Sequence, residues 1–131
     1  MGCEYSVCLD LAVKNDAAFI NQSHLFFEQE VPHLRADWEG LRTVDEVSGF
    51  MIAQHNQPEN FRVQRYDGGS IYHNCFKATY SWYTFLDKWF QEVANILRDD
   101  SALEIGGECN FECYIRNGLV ESYHFVAKED L

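Results

Sequence analysis

Tyr5-Ser6-Val7-Cys8-Leu9-Asp10-Leu11-Ala12-Val13 places a bulky apolar residue at every odd position and a small or polar one at every even position. Side chains alternate across a strand, so this segment is a half-buried strand with Ser6, Cys8, Asp10 and Ala12 on its second face. A strand wet on one side belongs to an antiparallel sheet with helices on one face. A parallel sheet covered on both sides would be apolar throughout.

Downstream, Asn15 or Asp16 caps a helix running to about Glu30, with Ile20, His24, Phe27 and Val31 as its apolar stripe. Pro32 to Leu41 is a connection carrying Trp38, and Thr43 to Glu46 has capping-box spacing before a short helix with Val44, Val47, Phe50 and Met51 on one side. The segment from His55 to Asn60 is loop. Phe61–Tyr66 and Ser70–Tyr80 flank Asp67-Gly68-Gly69 as a hairpin, the second strand setting Tyr72, Phe76, Ala78 and Tyr80 on one face against His73, Cys75, Lys77 and Thr79 on the other. A helix from about Tyr83 to Asp99 shows a wide face of Phe85, Leu86, Trp89, Phe90, Val93, Ile96 and Leu97. Leu103–Arg116 reads as one strand and Leu119–Ala127 as the next, joined by Asn117-Gly118, the preferred dipeptide for a tight hairpin.

Setting aside the short second helix and the last strand leaves βαββαβ. In organisation this resembles the ferredoxin-like arrangement, which implies an antiparallel sheet with helices on one face. The expectation is one α+β domain over residues 1–131, with an extra short helix after the first and an extra C-terminal strand.

The chain carries 21 Asp and Glu against 10 Lys and Arg, net −11 in 131 residues, yet 47% of it is hydrophobic and 15% aromatic. Disordered acidic chains lack such aromatics, so this is a folded acidic protein. Asp, Glu, Lys or Asn interrupts every apolar run before it could span a bilayer, and Met1 to Tyr5 lacks the basic stretch and apolar run of a secretory signal. The five cysteines, Cys3, Cys8, Cys75, Cys109 and Cys113, are odd in number and scattered. That pattern fits a reducing cytoplasm better than a disulfide framework.

Between 99 and 121, Asp99, Asp100, Glu104, Glu108, Glu112 and Glu121 stand against Arg116, a balance of −5. On a single strand Glu108 and Glu112 would lie on the open face about 13 Å apart, too far to share a proton as a catalytic dyad. Spaced carboxylates of this kind instead suit the Lys and Arg of a basic protein. Ile105, Cys109, Phe111, Cys113 and Ile115 would face the helices.

No Gly-x-Ser-x-Gly, His-Glu-x-x-His or phosphate-cradling glycine loop occurs, so no catalytic residues, metal or cofactor are expected. His73 and Cys75 share a strand face that Cys8 approaches if the first and third strands are neighbours. The plainer alternative is cysteine as a small core residue. Asp10 is expected to pair with Lys77 or Arg62 across strands. Phe90 and Trp82 are candidate interface anchors, with a homodimer as the simple explanation.

The expected function is a small acidic binding protein that neutralises a basic partner acting on nucleic acid, itself contacting neither nucleic acid nor membrane. Two kinds fit: an immunity protein against a nuclease-type toxin, and a phage or plasmid inhibitor of a defence enzyme. Asp99, Asp100, Glu104, Glu108 and Glu112 form the expected contact set. The alternatives are a ligand-binding or enzymatic domain using Asp10, His73, Lys77 and Glu112 on the open sheet face, and a homo-oligomeric accessory protein.

Overall fold

The computed structural model describes residues 4–53, 60–66, 69–106 and 110–125. Strand β1 (Glu4–Val13) lies inside a six-stranded antiparallel sheet, between β3 (Gly69–Thr79) and β4 (Ala102–Gly106). Strand β2 (Asn60–Tyr66) flanks β3, while β5 (Asn110–Arg116) and β6 (Leu119–Phe125) continue beyond β4. The order is β2-β3-β1-β4-β5-β6. Helices α1 (Asp16–Glu30), α2 (Arg35–Trp38), α3 (Val44–Ala53) and α4 (Tyr80–Glu92) complete an α+β domain. Val7, Leu9, Leu11 and Val13 of β1 are buried in one cluster with Phe19, Phe27, Trp38, Val47, Met51, Leu86 and Trp89 from these helices. The helical layer therefore covers the odd face of β1 and leaves the even face open.

Local chemistry accounts for the element ends. Asn15 caps α1, its Oδ1 accepting the Ala18 N–H at 2.9 Å. At α3, Thr43 Oγ1 accepts from the Glu46 N–H at 3.1 Å, while the Glu46 carboxylate reaches back to the Arg42 N–H at 2.9 Å. The capping box thus closes one residue earlier than its reciprocal form. Asn117 and Gly118 both have positive φ, 53° and 77°, as a primed two-residue turn between β5 and β6 requires. Gly69 opens β3 where an added Cβ would stand 2.4 Å from the Val13 carbonyl oxygen, so only glycine fits. The turn at 67–68 lies outside the described residues, but Tyr66 pairs with Gly69 as a hairpin there demands.

Several expectations are corrected. The stretch 103–116 is two antiparallel strands, pairing Leu103 with Cys113 and Ile105 with Phe111. The sheet therefore has one strand more than expected, in a six-strand order. Helix α4 begins at Tyr80 and ends at Glu92, because the following chain is captured by the end of β1. Lys14 N–H donates to the Ile96 carbonyl and Arg98 N–H to the Ala12 carbonyl, each at 2.8 Å, so Ile96 and Leu97 are buried without being α-helical. The buried stripe of α1 is Phe19, Ser23, Phe26 and Phe27 rather than one through His24, which is half-buried with Nε2 3.0 Å from the Leu41 carbonyl oxygen. Phe90 is fully buried and is no interface anchor; the side chain of Trp82 lies outside the described residues.

Helices α1 and α4 are tied by a buried bond from Trp89 Nε1–H to Ser23 Oγ at 3.0 Å. Ser23→Ala would strand that indole N–H in the core, so the unfolding free energy in a urea titration should fall by about 1–2 kcal/mol. Ser23→Ala with Trp89→Phe, which removes both polar groups, should recover part of the loss.

Candidate functional site

None of the described helices packs on the even face of β1, and the residues of that face form a regular array. One row of register partners runs Cys75, Cys8, Glu104, Glu112, Tyr123 across β3, β1, β4, β5 and β6. The adjacent row runs His73, Asp10, Ala102, Tyr114, Glu121. Neither row exists unless the chain reverses between β4 and β5. The array divides into an acidic, tyrosine-bearing half on β4–β6 and a thiol–imidazole half on β1 and β3.

In the acidic half Glu104 and Glu112 stand directly opposite each other. Like charges in this position destabilise a sheet, and among the described residues neither is paired with Lys or Arg. Burial raises the Glu104 carboxyl above the usual carboxylate range, and the charges of Glu112 and Asp10 add to the rise while His73 opposes it. Tyr114 O–H donates to Glu112 at 2.8 Å and Tyr123 O–H to Glu121 at 2.9 Å. That bond is the chief cause pushing the Tyr114 hydroxyl up to about 12. The two rings meet edge to face, with centroids 6.1 Å apart, and Tyr123 is 45% exposed.

The remaining members of the expected contact set are placed differently. Asp99 Oδ1 accepts the Asn117 N–H at 2.9 Å, and the Asp100 carboxylate takes an ion-paired hydrogen bond from Arg116. Both aspartates thus hold the turn between β5 and β6 in place. Asp100 adopts φ 73° to do so. Asp99 and Asp100 also line a groove of about 230 Å³ with Asp10, Ala12 and Ile71 at one end of the open face. Glu108 lies outside the described residues, so the spacing between Glu108 and Glu112 gives way to the opposed pair Glu104 and Glu112.

In the second half, Asp10 bonds to the His73 imidazole at Nδ1; the side chains of Lys77 and Arg62 lie outside the described residues. Lys77 stands opposite Ser6 in the ladder, and Glu112 lies two strands from Asp10. The four residues of the alternative enzymatic expectation are therefore not gathered, although Asp10 and His73 are. The other imidazole nitrogen, Nε2, lies 3.7 Å from Cys75 Sγ. Cys8 faces Cys75 across the ladder. Burial pushes the Cys8 thiol up to about 12, with further contributions from Cys75, Glu104 and Asp10. Cys113 lies on the core face, fully buried, its thiol raised by burial to about 11; Cys109 is outside the described residues. Among the described residues, no three His, Cys, Asp or Glu side chains are arranged to hold a metal ion.

No protein-family model, curated protein or solved structure matches this chain. No described helix is long and apolar enough to cross a membrane.

Because the Glu104 carboxyl is raised in the fold, its protonated form favours folding. That contribution is complete below the carboxyl's unfolded value and is lost as pH rises through its folded value. Glu104→Gln should therefore stabilise the protein at pH 7 by about 0.5 kcal/mol, the scale of a cross-strand pair. The gain should disappear in urea titrations carried out below the carboxylate range.

Proposed function

We propose that the protein is a small acidic binding protein whose open sheet face docks on a basic target that acts on nucleic acid and neutralises it. A toxin immunity protein and a phage or plasmid inhibitor of a defence enzyme are the two forms this takes. The observation that carries the reading is the direct opposition of Glu104 and Glu112, with neither paired to Lys or Arg among the described residues. Such a pair costs folding stability, and a Lys or Arg supplied by a partner removes that cost. Tyr114 and Tyr123 beside the carboxylates provide the aromatic area that protein interfaces favour.

The contact set on this reading is Glu104, Glu112, Glu121, Tyr114 and Tyr123, with Asp99 and Asp100 at its border and Glu108 between β4 and β5 in the sequence. Electrostatic steering makes association fast and salt-sensitive. A ferredoxin-like arrangement of β1, α1, β2, β3, α4 and β4, extended by β5 and β6, belongs to the same proposal. It is supported by the side-by-side placement of β2, β3, β1 and β4. So does a cytoplasmic location, supported by the odd number of cysteines.

Glu112→Lys tests the proposal without endangering the fold, because it converts a like-charge pair into an opposite-charge one. Wild type and variant, immobilised and incubated with lysate at low salt, should differ. The wild type should retain basic nucleic-acid enzymes that salt releases and whose activity it inhibits. The variant should bind the same enzyme about tenfold more weakly, roughly 1.4 kcal/mol. Equal affinity of the two proteins for that enzyme would overturn the assignment of this face.

A further inference from the structure

Cys8 and Cys75 occupy directly opposed positions on adjacent antiparallel strands. Opposed residues of either ladder type have Cα atoms about 4.5 or 5.5 Å apart, inside the range of about 4.4–6.8 Å that a disulfide spans. Both thiols are free and half-exposed on the uncovered face. Behind Cys75 the chain supplies a proton acceptor. Asp10 holds the Nδ1 side of His73, which directs the Nε2 lone pair toward Cys75 Sγ, 3.7 Å away. Side chains of His73 and Asp10 are 29% and 43% exposed, so the relay is reachable from solvent. A nucleophile, a base in contact with it and a third group orienting the base are the parts of an activated thiol. A second thiol within bonding reach adds a resolving group.

We propose that Cys75 and Cys8 form a thiol–disulfide exchange site that reduces a cationic low-molecular-weight disulfide and closes a cross-strand Cys8–Cys75 bond. In the first step His73 Nε2 takes the Cys75 proton and the Cys75 sulfur attacks the disulfide. The Cys75–S bond forms, the substrate S–S bond breaks, and the departing thiolate takes up a proton from His73. In the second step Cys8 gives its proton to solvent and attacks the Cys75 sulfur; the Cys8–Cys75 bond forms, the Cys75–substrate S–S bond breaks, and the second substrate thiolate takes a proton back from solvent. Both cysteine sulfurs are oxidised and both substrate sulfurs reduced, so one dithiol and one disulfide give one protein disulfide and two free thiols. The charge preference comes from the surroundings. Asp10 and Glu104 flank Cys8 in the array and Glu112 lies one strand further, while Lys77 and Arg62 take positions on the same face by register; the carboxylates are nearest the resolving thiol and outnumber the two cations, so a cationic disulfide is favoured over an anionic one. Cys75 also contributes to the rise of the Cys8 thiol, and that contribution ends once Cys75 is held in a mixed disulfide.

Cystamine, a dicationic disulfide, and dithiodipropionate, a dianionic one, are the probes. The reduced wild-type protein is mixed with each at low ionic strength, quenched with acid, and followed by intact mass and peptide mapping. Cystamine should yield a product lighter by two hydrogens with Cys8 linked to Cys75, forming about tenfold faster than with dithiodipropionate, a margin that salt should narrow. Cys8→Ser should stop at a Cys75–cysteamine mixed disulfide. His73→Gln should slow the first step about a hundredfold at neutral pH, the low end of what loss of a general base costs. Circular dichroism distinguishes that loss from unfolding, and the wild-type mapping needs no substitution. Linkage through other cysteines, or failure to link Cys8 with Cys75, would overturn the site. Equal rates with the two probes would overturn its charge preference, and an unchanged rate in folded His73→Gln the role of the imidazole.

Discussion

The hydrogen-bonded ladders that join β1 to β3 on one side and to β4 on the other fix the position of every strand relative to the next. A slip of one residue in β1 would carry Val7, Leu9, Leu11 and Val13 into water and Cys8 and Asp10 into the core. Losing the burial of a single Leu or Val costs about 1.5–3 kcal/mol. The slipped register is thus excluded by a margin comparable with the whole stability of a small domain. The composition of the open face follows from this packing constraint. Asp10 meets His73, Cys8 meets both Cys75 and Glu104, and Glu104 meets Glu112, because the apolar side of the same strand permits no other alignment.

Charges are paired differently on the two sides of the sheet. In the helical layer cations stand beside carboxylates: Lys88 bonds to Glu30 at 2.6 Å, and Arg35 to Glu39 at 3.1 Å. These exposed pairs contribute little to stability individually, but they consume basic side chains. On the open face Arg116, at the end of β5, is committed to Asp100 and lies 3.8 Å from Glu121. Glu104 and Glu112 are left facing each other. The helical stretches 16–53 and 80–92 keep an acidic excess of their own, nine carboxylates against Arg35, Arg42 and Lys88, so what sets the open face apart is the direct opposition of two carboxylates rather than the amount of charge.

Alternation made the α+β class, the covered face of β1 and the sides of β3 legible in the sequence, because period two and period 3.6 leave different apolar patterns. The same alternation concealed the break between β4 and β5. Ile105 pairs with Phe111, so odd residues oppose odd ones and the pattern passes through the reversal unchanged. At the Asn117-Gly118 turn Cys113 pairs with Ser122 and the parity flips, which marks that hairpin plainly. Gly106-Gly107 was the remaining signal for the first reversal. Once it is missed, Glu104 and Glu112 fall on one strand and cannot oppose each other. Asp99 and Asp100 look like surface charge in sequence because their partners, Asn117 and Arg116, come close only when the strands are paired. The end of α4 was hidden for a related reason. Ile96 and Leu97 continue the helical apolar period, but hydrogen bonds to the end of β1 decide their backbone.

The two halves of the open face are electrically joined through Glu104, which stands between Cys8 and Glu112 in one row. Its negative charge is among the causes that hold the Cys8 proton in place. A cation brought to Glu104 and Glu112 offsets that charge at the thiol as well as at the carboxylates, so it eases loss of the Cys8 proton. Linkage makes the effect reciprocal: a thiolate at Cys8 strengthens the hold of the acidic half on a cation by the same free energy. The sign is fixed by the row itself, because the charged groups that share it with Cys8, Glu104 and Glu112, are both carboxylates.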